Sequence, residues 1–198
     1  VEEPPFWVDY DRMDRAGRLL FRTGPVGGIV LGARSLVYGY ASPAGNKPLI
    51  LSGRLTQQAP KRLSETSRFV YEVCKPGGMR RFGEGFKITL RVRLMHARVR
   101  WLIEQGDSWD APRWGDPINQ HDMLATSMLF SQVWLDGVRK FGFHFSEQEA
   151  EDWLHLWNWC SIVMGVAPEL LPFNERDARD IESFIRFTQQ PPDHNSRL

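Results

Sequence analysis

The sequence is poor in the features that mark many chemistries. It has two cysteines, Cys74 and Cys160, both inside helical patterns. That excludes a disulfide framework and a CxxC centre and predicts two buried free thiols. Lys+Arg 25 against Asp+Glu 24 leaves a net charge of +1, so there is no basic footprint for nucleic acid. No uninterrupted apolar run is long enough to span a bilayer. No GxxxxGK[ST] follows the glycines at Gly27 and Gly28, which excludes a phosphate loop. The five histidines (His96, His121, His144, His155, His194) include no pair at helical metal spacing with a carboxylate between, so a zinc site is not expected. His121 and His144 read as surface residues, and His155 as a core or boundary histidine. No Ser–His–Asp arrangement, internal repeat or low-complexity tract is readable. The acidic, proline-bearing start VEEPPFWVDYDR is no signal peptide. That inclines the expectation to a soluble, cytoplasmic protein, although Val1 rather than Met opens the sequence and an upstream segment can have been removed. Nothing in the sequence speaks to oligomeric state.

What is present is a chain of 198 residues, 42% apolar, with eight tryptophans and twelve phenylalanines. This suffices for one core with a large aromatic content or an aromatic-lined cavity. Three segments follow: a lead-in with a short helix over 1–23, a main domain over 24–188, and a polar tail over 189–198. Turn and cap residues divide the main domain into helices. Val26 to Tyr40 reads as a buried helix in which Gly28 and Gly32 allow close packing. Ala41 to Gln58 reads as loop with a short helix over 48–55. Pro60 to Lys75 is a firmer helix ended by Pro76-Gly77-Gly78. Gly106 to Ile118 is loop. Asn119 caps a helix to about Arg139, Ser146 and Glu149 form a capping box for a helix to about Met164, and Asn174 caps a last helix to about Thr188. The expected class is all-α.

Gly85 to Gln105, GFKITLRVRLMHARVRWLIEQ, is the most informative stretch. Ile88, Leu90, Val92 and Leu94 alternate with polar residues as a strand would. Ile88, Val92, Met95, Val99 and Ile103 form a helical stripe over the whole length, and the length favours helix. As a helix it puts Arg93, His96 and Arg100 on one face. An imidazole between two guanidiniums suits a metal in a ring edged with carboxylates, as in haem; an arginine face paired with acids of neighbouring helices fits equally well. Arg62, Glu65, Thr66 and Phe69 share one face of the 60–75 helix. They read as a solvated face with an ordinary ion pair. If that face looks into a cavity, they read instead as a cationic donor, a carboxylate base and a hydroxyl.

Four stretches together resemble the catalytic domain shared by latex clearing proteins (bacterial rubber oxygenases) and the fungal MpaB-type oxygenases. They are Arg62-Leu63-Ser64-Glu65-Thr66, similar to an RLxxT motif; His96-Ala97-Arg98-Val99-Arg100, similar to HxxVR; Trp114 to Gln120, WGDPINQ, followed by a helix with Phe130-Ser131; and Gly165-Val166 with Glu169-Leu-Leu-Pro172, similar to GVxxELLP. Each is weak alone, and the ordered set is specific. The resemblance implies a single globin-like helical domain enclosing a b-type haem, with O2 as co-substrate. It puts His96 at the axial iron ligand, Arg93 and Arg100 at the propionates, and Arg62 and Thr66 at the distal polar pair. In the rubber oxygenases a lysine that can cap the iron stands where this chain has Glu65. The family's separate catalytic glutamate has no clear counterpart, Asn46 being near its place, so Glu65 is the remaining candidate base. The implied reaction is cleavage of a C=C bond in an isoprenoid, polymeric or small, or in a similar lipophilic substrate. Alternatives are hydroxylation or peroxidase-like oxidation of another substrate, or a non-catalytic haem-binding or gas-sensing domain.

Overall fold

The computed structural model describes residues 3–51 and 59–193. Among these every regular element is helical. Asp9 caps α1 (Tyr10–Thr23) by accepting from the Asp11 and Arg12 amides. α2 (Pro25–Val30), a π-helical turn (Leu31–Ser35) and α3 (Leu36–Tyr40) run on as one irregular rod, followed by α4 (Pro43–Leu51). α5 (Ala59–Cys74) and α6 (Glu84–Glu104) form a helical hairpin. A short α7 (Ala111–Trp114) sits in the loop that follows. α8 (Gln120–Phe130) and α9 (Gln132–Lys140) are separated at Ser131, and α10 (Glu147–Met164) and α11 (Glu175–Thr188) complete the chain.

The long stretch is thus a helix throughout. The expected single helix from Asn119 to Arg139 is two, because Ser131 leaves helical geometry (φ −97°, ψ −92°). The Ser146–Glu149 capping box and the Asn174 cap are formed. The segment 26–40 is not buried throughout: Ile29 and Val37 stand 53% and 55% exposed. Nor do Gly28 and Gly32 make its close contact. A Cβ on Gly28 would meet nothing within 4 Å, whereas one on Gly27 would come within 2.3 Å of Thr23 Oγ1. The expected short helix over 48–55 begins earlier, at Pro43; its residues 52–55 lie outside the described residues, as do residues 194–198 of the tail and His194.

α10 is the central element. It carries the buried Trp153, Leu154, Leu156, Trp157, Trp159, Cys160 and Val163, and α1 lies along it through Met13, Ala16 and Leu19. α6 packs on another side of α10, and α5 packs on α6. Both cysteines are free and buried, and burial pushes the Cys160 thiol up to about 12. The α1–α10 seam also has a polar part. Asp152, 2% exposed, accepts from Arg12 Nε at 2.8 Å, Arg15 Nε at 2.7 Å and Gln148 Nε2 at 2.9 Å. Burial acts to raise its pKa, and the bonds from Arg15, Arg12 and Gln148 outweigh it, holding the carboxyl below its usual range.

One turn along, the buried His155 accepts the Asp9 amide on Nε2 at 3.0 Å, under the edge of Trp7. Burial first, then the charge of Arg12, lowers its pKa; Asp9 and Asp152 oppose this more weakly. A histidine depressed in the folded state stabilises fully above its unfolded pKa of about 6.5 and loses that contribution as pH falls towards the folded value. Stability from urea denaturation is therefore expected to fall between pH 7 and 5, by at most about 1.4 kcal/mol per pH unit for this proton. H155Q is expected to flatten part of that slope, and an unchanged slope would show that Asp9 is not held through the neutral ring.

Candidate functional site

His96 sits on the inner face of α6, with Thr89 and Ile103 buried on the same side and Leu94 and Trp101, 70% and 58% exposed, on the outer side. Its ring is half-buried, and its Nδ1 atom is buried with no hydrogen-bond partner among the described residues. Burial first, then the positive charge of Arg100, lowers its pKa. At neutral pH the imidazole is neutral and keeps a nitrogen lone pair.

Arg62, Thr66 and Phe69 lie half-buried along one face of α5, the helix that packs against α6. Arg62 Nη1 is also buried without a partner among the described residues. Glu65 does not share this setting. Its side chain is 60% exposed and comes within 4.0 Å of Lys61. The α5 face read from spacing thus divides: Arg62, Thr66 and Phe69 turn inward and Glu65 meets solvent. Leu63, next to Arg62, is 48% exposed. Asn46 is 2% exposed on α4 and donates to the Tyr40 carbonyl.

The two flanking arginines are each partly engaged. Arg93 Nη1 donates to the Val163 carbonyl at 3.3 Å, and its guanidinium lies over Gly165 at the end of α10. Arg100 donates from Nε to the Pro117 carbonyl at 3.0 Å and from Nη2 to the Ile118 carbonyl at 2.6 Å. Spacing gave no sign of these bonds, which tie α6 to the WGDPINQ loop. Gln120, the last residue of that motif, extends the tie: it donates to the Gly165 carbonyl at 3.0 Å and accepts the Ala167 amide at 2.9 Å. Three of the four motif stretches therefore meet at one end of α6. A guanidinium has five N–H donors, so both arginines keep donors for an anion.

A recess of about 390 Å³ lies elsewhere, lined by Ser42, Trp114, Asn119, His121 and Asp122, and none of His96, Arg62 or Thr66 borders it. Among the described residues no three of His, Cys, Asp and Glu converge as a metal-ion site. No described helix is long and apolar enough to cross a membrane.

Residues 18–197 match the model of the family described as ER-bound oxygenase mpaB/B'/Rubber oxygenase, catalytic domain. The chain belongs to this family. A rubber oxygenase from Streptomyces sp. (strain K30) is 24% identical over 170 residues, which are 85% of this chain and 42% of that protein. The solved structure of a latex clearing protein in the closed state superposes with a TM-score of 0.80 at 22% identity, covering 92% of this chain and 50% of that one. The family's all-helical fold is thus present, and the chain spans about half the length of the relatives it matches.

Arg100 carries a structural load whatever else it binds. R100M removes two charge-assisted bonds to loop carbonyls and is expected to cost about 2–3 kcal/mol in urea denaturation, with loss of protection at the 115–120 amides in hydrogen exchange. Unchanged stability and protection would show that the loop is held by Gln120 alone.

Proposed function

We propose that this chain is the catalytic unit of a haem-b-dependent oxygenase that uses O2 to cleave a C=C bond of an isoprenoid or similar lipophilic substrate. The observation that carries it is the pair of buried, unpartnered polar atoms, His96 Nδ1 and Arg62 Nη1, on two helices that pack together. Leaving such atoms unbonded costs about 1–3 kcal/mol each, a cost that a bound ligand removes.

The residues fit an imidazole-ligated group with anionic edges. His96 is neutral at working pH and would hold the metal. Arg93 and Arg100, anchored to carbonyls on one side, would give their remaining donors to the carboxylates. When bound, haem supplies an iron that activates O2. Arg62, fixed and cationic, offers a hydrogen bond to an oxygen-bearing ligand, and the Thr66 hydroxyl offers a second, weaker one. Glu65 stands in solvent, outside the inward face of α5; as the base it would take up the allylic proton and return it as the carbonyls form, so that no proton is lost or gained. The balance is one C=C bond and one O2 giving two carbonyl groups. The aromatic side chains packed around α10 would give a bound isoprenoid, polymeric or small, apolar surroundings.

One observation favours the alternative, oxidation of a different lipophilic substrate by the same group. Among the described residues no carboxylate stands on the inward face of α5 beside Arg62 and Thr66.

Titration of the purified chain with haem, read by visible absorbance in the ferric and ferrous-CO forms, tests the proposal. A saturable Soret band that H96A abolishes is the expected result. No band in the wild type, or an identical band in H96A, contradicts the assignment. With haem bound, O2 uptake on farnesyl or polyisoprene compounds is expected, reduced at least ~10²-fold in R62A; no uptake with any of them rejects the cleavage chemistry.

A further inference from the structure

Trp157 stands on α10, 2% exposed, and its indole N–H meets no hydrogen-bond partner among the described residues. The other three tryptophans buried to that degree all find one. Trp134 donates to Gly27 O at 3.0 Å, Trp153 to Phe130 O at 3.2 Å and Trp159 to Met79 O at 3.2 Å. The core thus satisfies its indoles wherever an indole serves packing alone.

Its ring neighbours tie it to the α5 inner face. Phe69 touches it edge-on with ring centroids 6.0 Å apart, and Phe130 stacks on it at 5.1 Å. Phe69 is the inner end of the α5 face that begins with Arg62 and Thr66. Reading inward from Arg62, that face offers a guanidinium, a hydroxyl and a ring, and the ring packs against the Trp157 indole. The rings packed around it, Phe69, Phe130 and Trp153, hold no lone-pair acceptor; at most their π faces are weak acceptors. An indole N–H is a donor only, so what completes it must bring a lone pair.

We propose that Trp157 Nε1 is a substrate-binding donor, and that the lipophilic substrate of this chain carries a hydrogen-bond-accepting oxygen on its apolar skeleton rather than being a pure hydrocarbon. This rests on the proposed function for the lipophilic character of the substrate and for the use of the α5 inner face. A hydrocarbon bound against the indole would leave the N–H unpaired. A ketone, ester or carboxylate satisfies it, and this polar contact fixes which double bond lies beside Arg62.

Geranylacetone, an isoprenoid methyl ketone, and an isoprenoid hydrocarbon of the same carbon count make the test. Both are titrated into the full ¹⁵N-labelled chain, first as purified and then loaded with haem in the diamagnetic ferrous-CO form. The Trp157 indole resonance is expected to move downfield with the ketone and to stay in place with the hydrocarbon. The ketone is expected to bind about tenfold tighter, and W157F to erase that preference while still binding the hydrocarbon. Equal affinities, equal shifts, or a preference retained in W157F would overturn the inference. If W157F fails to fold, the wild-type resonance, assigned through the backbone, decides alone. A chain that passes this test without a Soret band loses the oxygenase reading only; one with a Soret band and no ketone-specific shift loses this inference only.

Discussion

The arrangement of the site depends on how closely α5 and α6 approach at the base of their hairpin. A Cβ at Gly85 would lie 2.6 Å from the Glu72 carbonyl oxygen and 2.8 Å from the Val73 Cα. Only a residue without a side chain lets the first turn of α6 sit on the last turn of α5. That contact sets the register of the hairpin, and the register decides which residues of the two helices share an interior. His96 thus lies on the inner face of α6 in the half of the hairpin where α5 carries Arg62 and Thr66, while Thr89 and Arg93 of the same helix meet Cys160 and the Val163 carbonyl of α10. α1 fixes the same corner from outside, because Gly17 rests against the Cys74 carbonyl.

Within this frame, polar groups divide into two kinds. Most are satisfied by their own fold: Asp152 by two arginines and a glutamine, Arg100 by two carbonyls, three buried indoles by carbonyls, and His155 by a backbone amide. A few are not, and three of these, Arg62 Nη1, His96 Nδ1 and Trp157 Nε1, lie on helices that pack around the α6 interior. Protein interiors rarely tolerate such atoms, and they cluster where a ligand completes them. Two of the three are donors only, which makes the missing partner rich in acceptor oxygens. An oxygen-bearing ligand at Arg62 and an oxygenated substrate at Trp157, as proposed, both answer that description.

Much of the fold was legible in the sequence because its signals are local. Ser146, Glu149, Asn119 and Asn174 mark helix starts through bonds that span three residues, and the long apolar stripe of Gly85 to Gln105 outweighed its strand-like alternation. Motif order singled out His96 and Arg62, and each carries a buried atom without a partner among the described residues. What spacing cannot carry is the direction of neighbouring elements. Glu65 shares a helical face with Arg62 and Thr66 on paper, yet a shift of less than a third of a turn puts it in solvent. The break at Ser131 has no proline or glycine to announce it. The bonds of Arg100 and Gln120 need a loop fold that no periodicity encodes. Trp157 looked like any core tryptophan, since only a three-dimensional structure shows an indole without an acceptor.

If the unpaired atoms are held open for a ligand, removing them must relieve the ligand-free protein. Equilibrium urea denaturation of the haem-free chain, wild type against R62M and H96L, tests this most directly. Each variant is expected to be as stable as the wild type or more so, by up to about 1–3 kcal/mol, while losing haem binding. Destabilisation of both by a similar amount would mean that Arg62 and His96 are bonded in the folded chain, and would contradict the account.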